Sequence, residues 1–342
     1  MFRTLRPLVL LLLYGLLAGC YVAQAARGQW SVMAKREPIA KVVARSSTPP
    51  AVRTQLERVL QIREFAVREL ALPDNGSYRS YADLGRPYVV WNVFAAPEFS
   101  VEPRTWCFPI AGCVAYRGYF GEERARRFAR RLAGEGDDVY VGGVAAYSTL
   151  GHFDDPVLNT MIGWSDVQLA AIIFHELSHQ LLYVPGDSSF NEGFASVVES
   201  AGVRRWLLAA GREPELAAYR GRLRRYSQFV ARLEATRQEL RALYMEDQAA
   251  ERRRARKREV FAKLAAEHAE WQGQWGGRSP FERWFADGIN NAHLVSVATY
   301  EECVPGIEAV LAAAGGEPRE FYARMHAIAQ LEPQARRQRV CN

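Results

Sequence analysis

Two histidines four residues apart, within an almost wholly apolar stretch, constrain this chain more than any other feature. His175 and His179 lie about one turn apart on the same face if the stretch is helical, and Glu176 lies beside them. This HExxH spacing is typical of two zinc ligands accompanied by a glutamate that acts as a general base. Because a carboxylate buried on an apolar helix is costly without compensation, the pattern predicts a metal site.

The flanking sequence predicts the bounds of this helix. Ser165 and Gln168 have the spacing of a capping box, and Pro185-Gly186 ends the segment. HExxH also occurs by chance in ordinary helices, where both histidines are satisfied core residues. The cap, the apolar helix and the sequence Asn191-Glu192-Gly193-Phe194-Ala195 favour the metal site over that alternative.

A catalytic zinc site needs a third protein ligand. Glu192 is the best candidate, with twelve residues between it and His179, in the first turn of a second predicted helix. Glu199, two turns further along that helix, is the rival ligand. A third interpretation gives Glu192 only a capping role with Ser189.

The sequences HELSHQ and NEGFA resemble the gluzincin metallopeptidases, above all the zinc aminopeptidases of the aminopeptidase N type. The resemblance implies that Glu192 completes the ligand set of one Zn²⁺ per chain. The spacer between the two motifs is shorter than in those enzymes, so the connecting loop must differ. The whole chain is also similar to a bacterial lipoprotein family described as predicted aminopeptidases, through its lipobox and the sequences WCFPIAGCVAYRGYF, AYSTLGHFDDPVLNT, NNAHL and YEECVPG.

Residues 1–20 have the pattern of a bacterial lipoprotein signal peptide. Arg3 and Arg6 precede the apolar run Leu8–Leu17, which is short for a membrane-spanning helix, and Leu17-Ala18-Gly19-Cys20 matches a lipobox. We therefore expect lipid on Cys20 and cleavage before it. Tyr21 after the cysteine resembles an outer-membrane destination facing the periplasm. An ordinary signal peptide or an uncleaved anchor is the alternative.

Four further cysteines follow Cys20, and an even number in an oxidising compartment predicts two disulfides. Three pairings exist on paper. The simplest joins Cys107 to Cys113, as a clip on one loop, and Cys303 to Cys341, as a tie for the C-terminus.

Two further groups of residues are candidates for substrate contacts. The segment 146–153 is expected to be extended, and Tyr147, Ser148 and Thr149 would then pair with substrate backbone, as an edge strand does in gluzincins. An ordinary sheet strand is the alternative. Tyr300 and His293 are candidate donors to the oxyanion of the reaction, although a core tyrosine bonded to backbone explains Tyr300 equally well.

The predicted fold class is α+β and mostly helical. We expect a gluzincin-like catalytic unit with a small sheet packed on the zinc helix and a helical C-terminal lobe. Residues 21–50 are assigned to a tether leading into the unit at 51–342, which divides into a sheet and zinc-helix lobe (51–202) and a helical lobe (203–342). The basic run 252–258 is interpreted as a solvated face, or as a contact with anionic lipid.

These observations together predict a zinc-dependent peptidase of the periplasm, and the resemblance favours an aminopeptidase. An envelope endopeptidase is the first alternative. A non-catalytic, metal-stabilised envelope lipoprotein is the second, but a structural site has no need of a base at Glu176. The expected partners are a peptide or protein substrate and the membrane, through the lipid anchor. The formal charge of +6 does not argue for nucleic acid.

Overall fold

The computed structural model describes residues 21–108, 112–276, 279, 281–297 and 300–341. Cys20, with the rest of the predicted targeting segment, lies outside the described residues, and so does the side chain of Tyr300. The described chain is α+β and mostly helical, which confirms the predicted fold class at that level.

Thirteen helices and eight strands make up the described chain. The helices are α1 (21–34), α2 (Ile39–Ala44), α3 (Pro50–Leu70), α4 (Glu122–Gly134), α5 (Asp166–Leu181), α6 (Ser188–Ala209), α7 (Glu213–Met245), α8 (Ala250–Gln274), α9 (Glu282–Ala286), α10 (Asn291–Ser296), α11 (Val304–Ala313), α12 (Pro318–Ala329) and α13 (Pro333–Val340). The strands are β1 (Glu37–Pro38), β2 (Ser80–Ala82), β3 (Val90–Pro97), β4 (Trp106–Phe108), β5 (Gly112–Val114), β6 (Arg117–Tyr119), β7 (Asp137–Val144) and β8 (Val157–Leu158). Asn159–Met161 and Tyr300–Cys303 are short 3₁₀ helices.

The strands form three small sheets. In the main sheet, β3 lies between β6 and β7 and is antiparallel to both. A second sheet has the order β1-β2-β8, and β4 and β5 form a hairpin. Ala125, Phe128 and Leu132 recur at helical spacing on α4, and this apolar face packs on the main sheet.

The helix that carries the histidines is supported mainly by other helices. Helix α5 packs against α6 and α3, whereas the main sheet packs against α4 and α10. The structure thus differs from the expected packing of a small sheet on this helix. The physical reason is that α5 buries residues on several sides, including Leu169, Ile173, Phe174 and Leu177, in a core built largely from helices.

Residues 21–50, which we assigned to a tether, contain α1, β1 and α2 and contact the rest of the protein. Val32 is buried in the largest core. The Gln24 amide donates to the Gly118 carbonyl at 3.2 Å, and an Arg36 guanidinium nitrogen donates to the Asp154 carbonyl at 2.8 Å. The position of α1 on the protein surface is therefore fixed by side-chain contacts along its length.

Helices α7 and α8 form a helical hairpin within the predicted helical lobe, with their own apolar core around Phe229, Leu240 and Leu264. Three basic residues of the run 252–258 are held in ion pairs. Arg254 pairs with Glu98, Arg256 with Glu246, and Lys257 with Asp138. The pairs with Glu98 and Asp138 connect α8 to the ends of β3 and β7, and the pair with Glu246 connects it to the end of α7. The basic run therefore makes internal contacts and is not a wholly solvated face.

The four cysteines form the bonds Cys107–Cys113 and Cys303–Cys341. The first closes the β4–β5 hairpin, and the second joins the 3₁₀ helix before α11 to the end of α13. In the part of the chain that the structure describes, none of the helices has the length and apolar character needed to cross a membrane.

Candidate metal centre

Helix α5 aims both histidines at one point. Its predicted capping box is present, because the Ser165 hydroxyl accepts from the backbone N–H of Gln168 while the Gln168 side-chain oxygen accepts from the backbone N–H of Ser165. The Nε2 atoms of His175 and His179 are 3.2 Å apart. This separation is the direct result of their i, i+4 spacing on a helix.

Glu192 brings its carboxylate to the same point from α6. One oxygen lies 3.3 Å from His175 Nε2 and the other lies 3.7 Å from His179 Nε2. The three candidate donor atoms all lie within 4.8 Å of one another. Two imidazole nitrogens and one carboxylate oxygen that converge in this way are the donor set of a catalytic zinc site, so these residues fit a divalent cation.

The residues around Glu192 explain how α6 reaches α5. Asp187 caps α6 by accepting from the Phe190 N–H. The Asn191 side chain bonds both the N–H and the carbonyl of Val184, each at 2.8 Å, and so closes the loop between the helices. Gly193 allows the 3₁₀ helix that contains Cys303 to lie close to α6, because a Cβ at Gly193 would be 3.2 Å from the Cys303 Cβ.

Glu199 contacts the opposite ring nitrogen of His175. Its carboxylate lies 3.1 Å from His175 Nδ1, and its other oxygen accepts from the Tyr219 hydroxyl at 3.0 Å. A carboxylate at Nδ1 fixes the tautomer in which the Nε2 lone pair is free for a metal. The geometry therefore favours Glu192 as the third ligand and gives Glu199 an orienting position behind His175.

Three carboxylates surround His175, so the electrostatics of the site favour a positive charge there. Burial lowers the pKa of His175, but hydrogen bonds to Glu192 and Glu199 and the charge of Glu176 outweigh burial and raise it to about 10. Burial and the neighbouring His175 lower the pKa of His179 to about 4. The protein thus holds a proton on His175, among three carboxylates, where a cation would otherwise balance their charge.

Glu176 lies beside the three candidate ligands without belonging to the set. Burial raises its pKa to about 7, with His175 and the Ser148 hydroxyl lowering it and Glu192 and Asp155 raising it further. Tyr78 is buried nearby with a backbone φ of 60°, and its pKa is raised by burial and by the charge of Glu176. A carboxyl group whose pKa is near neutrality suits general acid–base work.

The segment expected to be an edge strand is a loop. Residues 146–149 have no regular structure, and a turn follows in which Leu150 has a φ of 55°. The Thr149 hydroxyl bonds the buried Asp155 carboxylate at 2.9 Å, and the Tyr147 hydroxyl bonds Gln29 of α1. The third predicted substrate-contact residue, Ser148, donates to Asp155 at 3.3 Å and also influences the pKa of Glu176.

The two predicted oxyanion donors have different outcomes. His293 is buried in the cap of α10, where its Nδ1 lies 3.1 Å from the Asn290 N–H nitrogen and its ring lies 4.2 Å from that of Tyr140. These contacts give His293 a structural position. For Tyr300, the 3₁₀ helix that contains it packs against α6, while its side chain lies outside the described residues.

Two tyrosines that the sequence reasoning missed lie near the ligands. Partial burial and the charges of Glu192 and Tyr183 raise the pKa of Tyr116, whose ring packs against Phe94 at 5.7 Å between centroids. Tyr183 lies edge-on to His179, with ring centroids 6.2 Å apart. Tyr116 lies in the aromatic sequence just after the Cys107–Cys113 disulfide. That position was the one sequence feature that could have marked it as a candidate site residue.

A cavity of about 800 Å³ adjoins the site between α5, α7 and the end of α8. His175 and Glu199 form part of its wall, and most of the remaining wall is apolar or aromatic, with Arg222 and Arg225 on α7. Its size and lining are those of a small-molecule or peptide side-chain site.

Comparison with known proteins gives one result. A family model described as "Putative aminopeptidase" matches residues 20–340 of the chain. Neither the curated proteins nor the solved structures yielded a match.

Proposed function

Because this chain belongs to the Putative aminopeptidase family, we propose that it is a zinc-dependent metallopeptidase that removes N-terminal residues from peptides in the periplasm. The observation that carries the proposal is the convergence of His175, His179 and Glu192, with Glu176 beside them and outside the ligand set. A structural metal site has no use for that fourth group, whereas hydrolysis needs a base.

His175, His179 and Glu192 would hold one Zn²⁺ per chain in a gluzincin-type arrangement. When bound there, the metal supplies Lewis acidity that polarises the scissile carbonyl and makes water a stronger acid. Glu199 keeps His175 in the required tautomer, and Tyr219 in turn orients Glu199.

Glu176 moves the protons of the reaction. It takes a proton from the attacking water as the new C–O bond forms, and it gives that proton to the amide nitrogen as the C–N bond breaks. Its pKa of about 7 allows both transfers near neutral pH. The Ser148 hydroxyl, which donates to Asp155, lowers the pKa of Glu176.

We assign Tyr116 as the candidate donor of a hydrogen bond to the oxyanion. Its raised pKa keeps the phenol protonated, and the influence of Glu192 on that pKa reports its closeness to the ligands. One such donor contributes about 10²–10³-fold to the rate in well-studied hydrolases. The cavity beside His175 provides room for an apolar substrate side chain.

The proposal includes the location of the enzyme. Lipid on Cys20 would anchor it at the inner face of the outer membrane, so that its substrates are peptides or proteins of the periplasm. The supporting observation is the lipobox Leu17-Ala18-Gly19-Cys20 after a short apolar run.

The decisive experiment replaces Glu176 by Gln. The amide has nearly the same shape but cannot take up a proton, so we expect peptide hydrolysis to fall by about 10²–10⁴-fold while metal content stays at one per chain. Glu57→Gln, on the exposed side of α3, is the matched control and should keep full activity. If Glu176→Gln retains wild-type kcat, the catalytic assignment fails.

A second measurement separates the kinds of peptidase. An aminopeptidase recognises the free α-ammonium group, so acetylation of the peptide N-terminus should abolish cleavage by the wild type. Equal cleavage of free and acetylated peptides would identify an endopeptidase instead.

A further inference from the structure

A second groove, whose lining includes none of the proposed metal ligands, combines arginines with aromatic rings. It lies between the first turn of α1, strand β6 and helix α4, and it has a volume of about 460 Å³. We call it the Arg117 groove. Its lining residues are Tyr21, Gln24, Arg117, Tyr119, Arg124, Arg127, Phe128 and Arg131.

The groove has an excess of unbalanced positive charge. Other arginines on α4 are compensated, because Arg126 pairs with Glu122, Arg130 with Glu123, and Arg131 with Glu135. In contrast, Arg117, Arg124 and Arg127 form no ion pair within the part of the chain that the structure describes. Arg124 and Arg127 are exposed, so their charge faces solvent.

The aromatic rings hold one of these charges in a fixed position. The Arg117 guanidinium carbon lies 4.2 Å from the ring centroid of Tyr21 and 4.9 Å from that of Phe128. Its Nε is buried without a hydrogen-bond partner among the described residues. Arginine beside aromatic rings is the combination that suits the boundary between lipid headgroups and acyl chains.

The groove also contains Tyr21, the first residue that the structure describes. Tyr21 packs edge-on to Tyr119, with ring centroids 5.8 Å apart, and Gln24 bonds the Gly118 carbonyl of β6. In the sequence, Tyr21 directly follows Cys20 of the lipobox. The apolar run Leu8–Leu17 comes just before it in the sequence.

We propose that the Arg117 groove binds the phosphate headgroups of anionic phospholipids and thereby seats the folded body on the bilayer. Arg124 and Arg127 supply the exposed charge, and Arg117 with its aromatic neighbours forms the floor. The partner is the membrane surface itself, because the groove contains Tyr21, the residue that follows the apolar run and the lipobox in the sequence. The proposal requires neither peptidase activity nor lipid on Cys20.

The test uses the full-length chain inserted into vesicles through its own N-terminal segment. The vesicles contain phosphatidylcholine alone or with phosphatidylglycerol, and each lipid carries a photoactivatable headgroup in turn. We expect phosphatidylglycerol to label residues 117–131 more strongly than phosphatidylcholine does. Combining Arg124→Glu with Arg127→Glu should reduce this labelling at least about fivefold, which is the effect of one basic residue at an anionic surface.

The matched control reverses two arginines of α8 that form no ion pair with described residues, Arg252→Glu with Arg258→Glu, and should leave the labelling unchanged. Circular dichroism and thermal unfolding check that both double variants remain folded. Equal labelling by the two lipids, or labelling unaffected by the α4 reversals, would overturn the proposal. Loss of labelling on addition of inorganic phosphate at constant ionic strength would instead assign the groove to a free phosphate ion.

Discussion

At the scale of single residues, two glutamates of one helix contact the two nitrogens of one imidazole. Glu192 lies at His175 Nε2 and Glu199 lies at His175 Nδ1. The sequence alone left these two carboxylates as rivals, because both follow the histidines at plausible spacings on the same helix. Their rotational positions on α6, which set the roles apart, depend on the packing of α6 against α5.

A pair of matched substitutions tests this division of roles. Glu192→Gln replaces the charged carboxylate by a neutral amide, which is a much weaker zinc ligand, and should abolish high-affinity zinc binding. Glu199→Gln leaves all three donors and should weaken zinc affinity by about 10–100-fold, which is typical of a lost partner behind a metal-bound histidine. Zinc titration against a competing chelator measures both values. If Glu199→Gln proves the more damaging of the two, the assignments must be exchanged.

The predictable residues of the site are those whose geometry is local. His175, Glu176 and His179 follow from helix periodicity alone, and the capping box fixes where that helix begins. Tyr116 and Tyr78 were not predictable, because they come from loops that only tertiary packing brings to α5. The motif containing Tyr116 was visible, but nothing in it indicated which of its aromatic residues faces the metal ligands.

At the scale of elements, each of the two disulfides lies close to one residue of the proposed site. The Cys107–Cys113 bond closes the hairpin three residues before Tyr116, and Cys303 packs on Gly193 beside Glu192. The two disulfides therefore support different parts of the proposed chemistry. The first supports the oxyanion donor, and the second supports the third ligand.

Removal of each disulfide should have a distinct kinetic signature. Tyr116→Phe is expected to lower kcat by about 10²–10³-fold without loss of metal. Cys107→Ser with Cys113→Ser should change kcat in the same direction, but by less, with metal content intact. Cys303→Ser with Cys341→Ser is the comparison variant and should weaken zinc binding and lower unfolding stability by roughly 2–4 kcal/mol. Equal effects of the two pairs on metal content would contradict this separation.

The expected edge strand shows why a sequence pattern can mislead. Residues 146–153 are expected from the sequence to be extended, but Asp155 takes hydrogen bonds from the backbone N–H and hydroxyl of Thr149. Together with the positive φ angles of Leu150 and Gly151, these bonds fold the segment into a tight loop. The segment could form either the backbone hydrogen bonds of a strand or these local hydrogen bonds to Asp155. The burial of Asp155 favours the local hydrogen bonds, and the sequence does not reveal that burial.

At the scale of the whole molecule, the metal-free protein carries a substitute for the cation. The folded pKa of His175, about 10, lies above its usual 6.5. Its proton therefore stabilises the metal-free fold fully below pH 6.5, and that contribution is lost as the pH rises through about 10. Metal binding at neutral pH must displace this proton.

Chelation should consequently destabilise the protein more at higher pH. Zinc at 100 to 1,000 times its dissociation constant stabilises the folded state by about 3–4 kcal/mol, so its removal should lower Tm by roughly 4–6 °C. With one proton released per metal, the apparent dissociation constant should fall about tenfold per pH unit. Thermal unfolding with and without chelator at pH 6.5 and pH 8 measures the difference. A chelator effect that shrinks between these values would show that His175 is not the displaced acid.

The first turn of α1 is bonded to β6 through Gln24, so the proposed lipid on Cys20 would be joined to the folded protein by almost no flexible linker. A protein on a long flexible linker samples a volume that grows with the length of the linker. This protein would instead move only by lateral diffusion in its leaflet, at a constant distance from the bilayer. Peptides that drift to the membrane would be within its range at every point of that surface. A substrate fixed in the middle of the compartment would be out of reach, however long the encounter lasted.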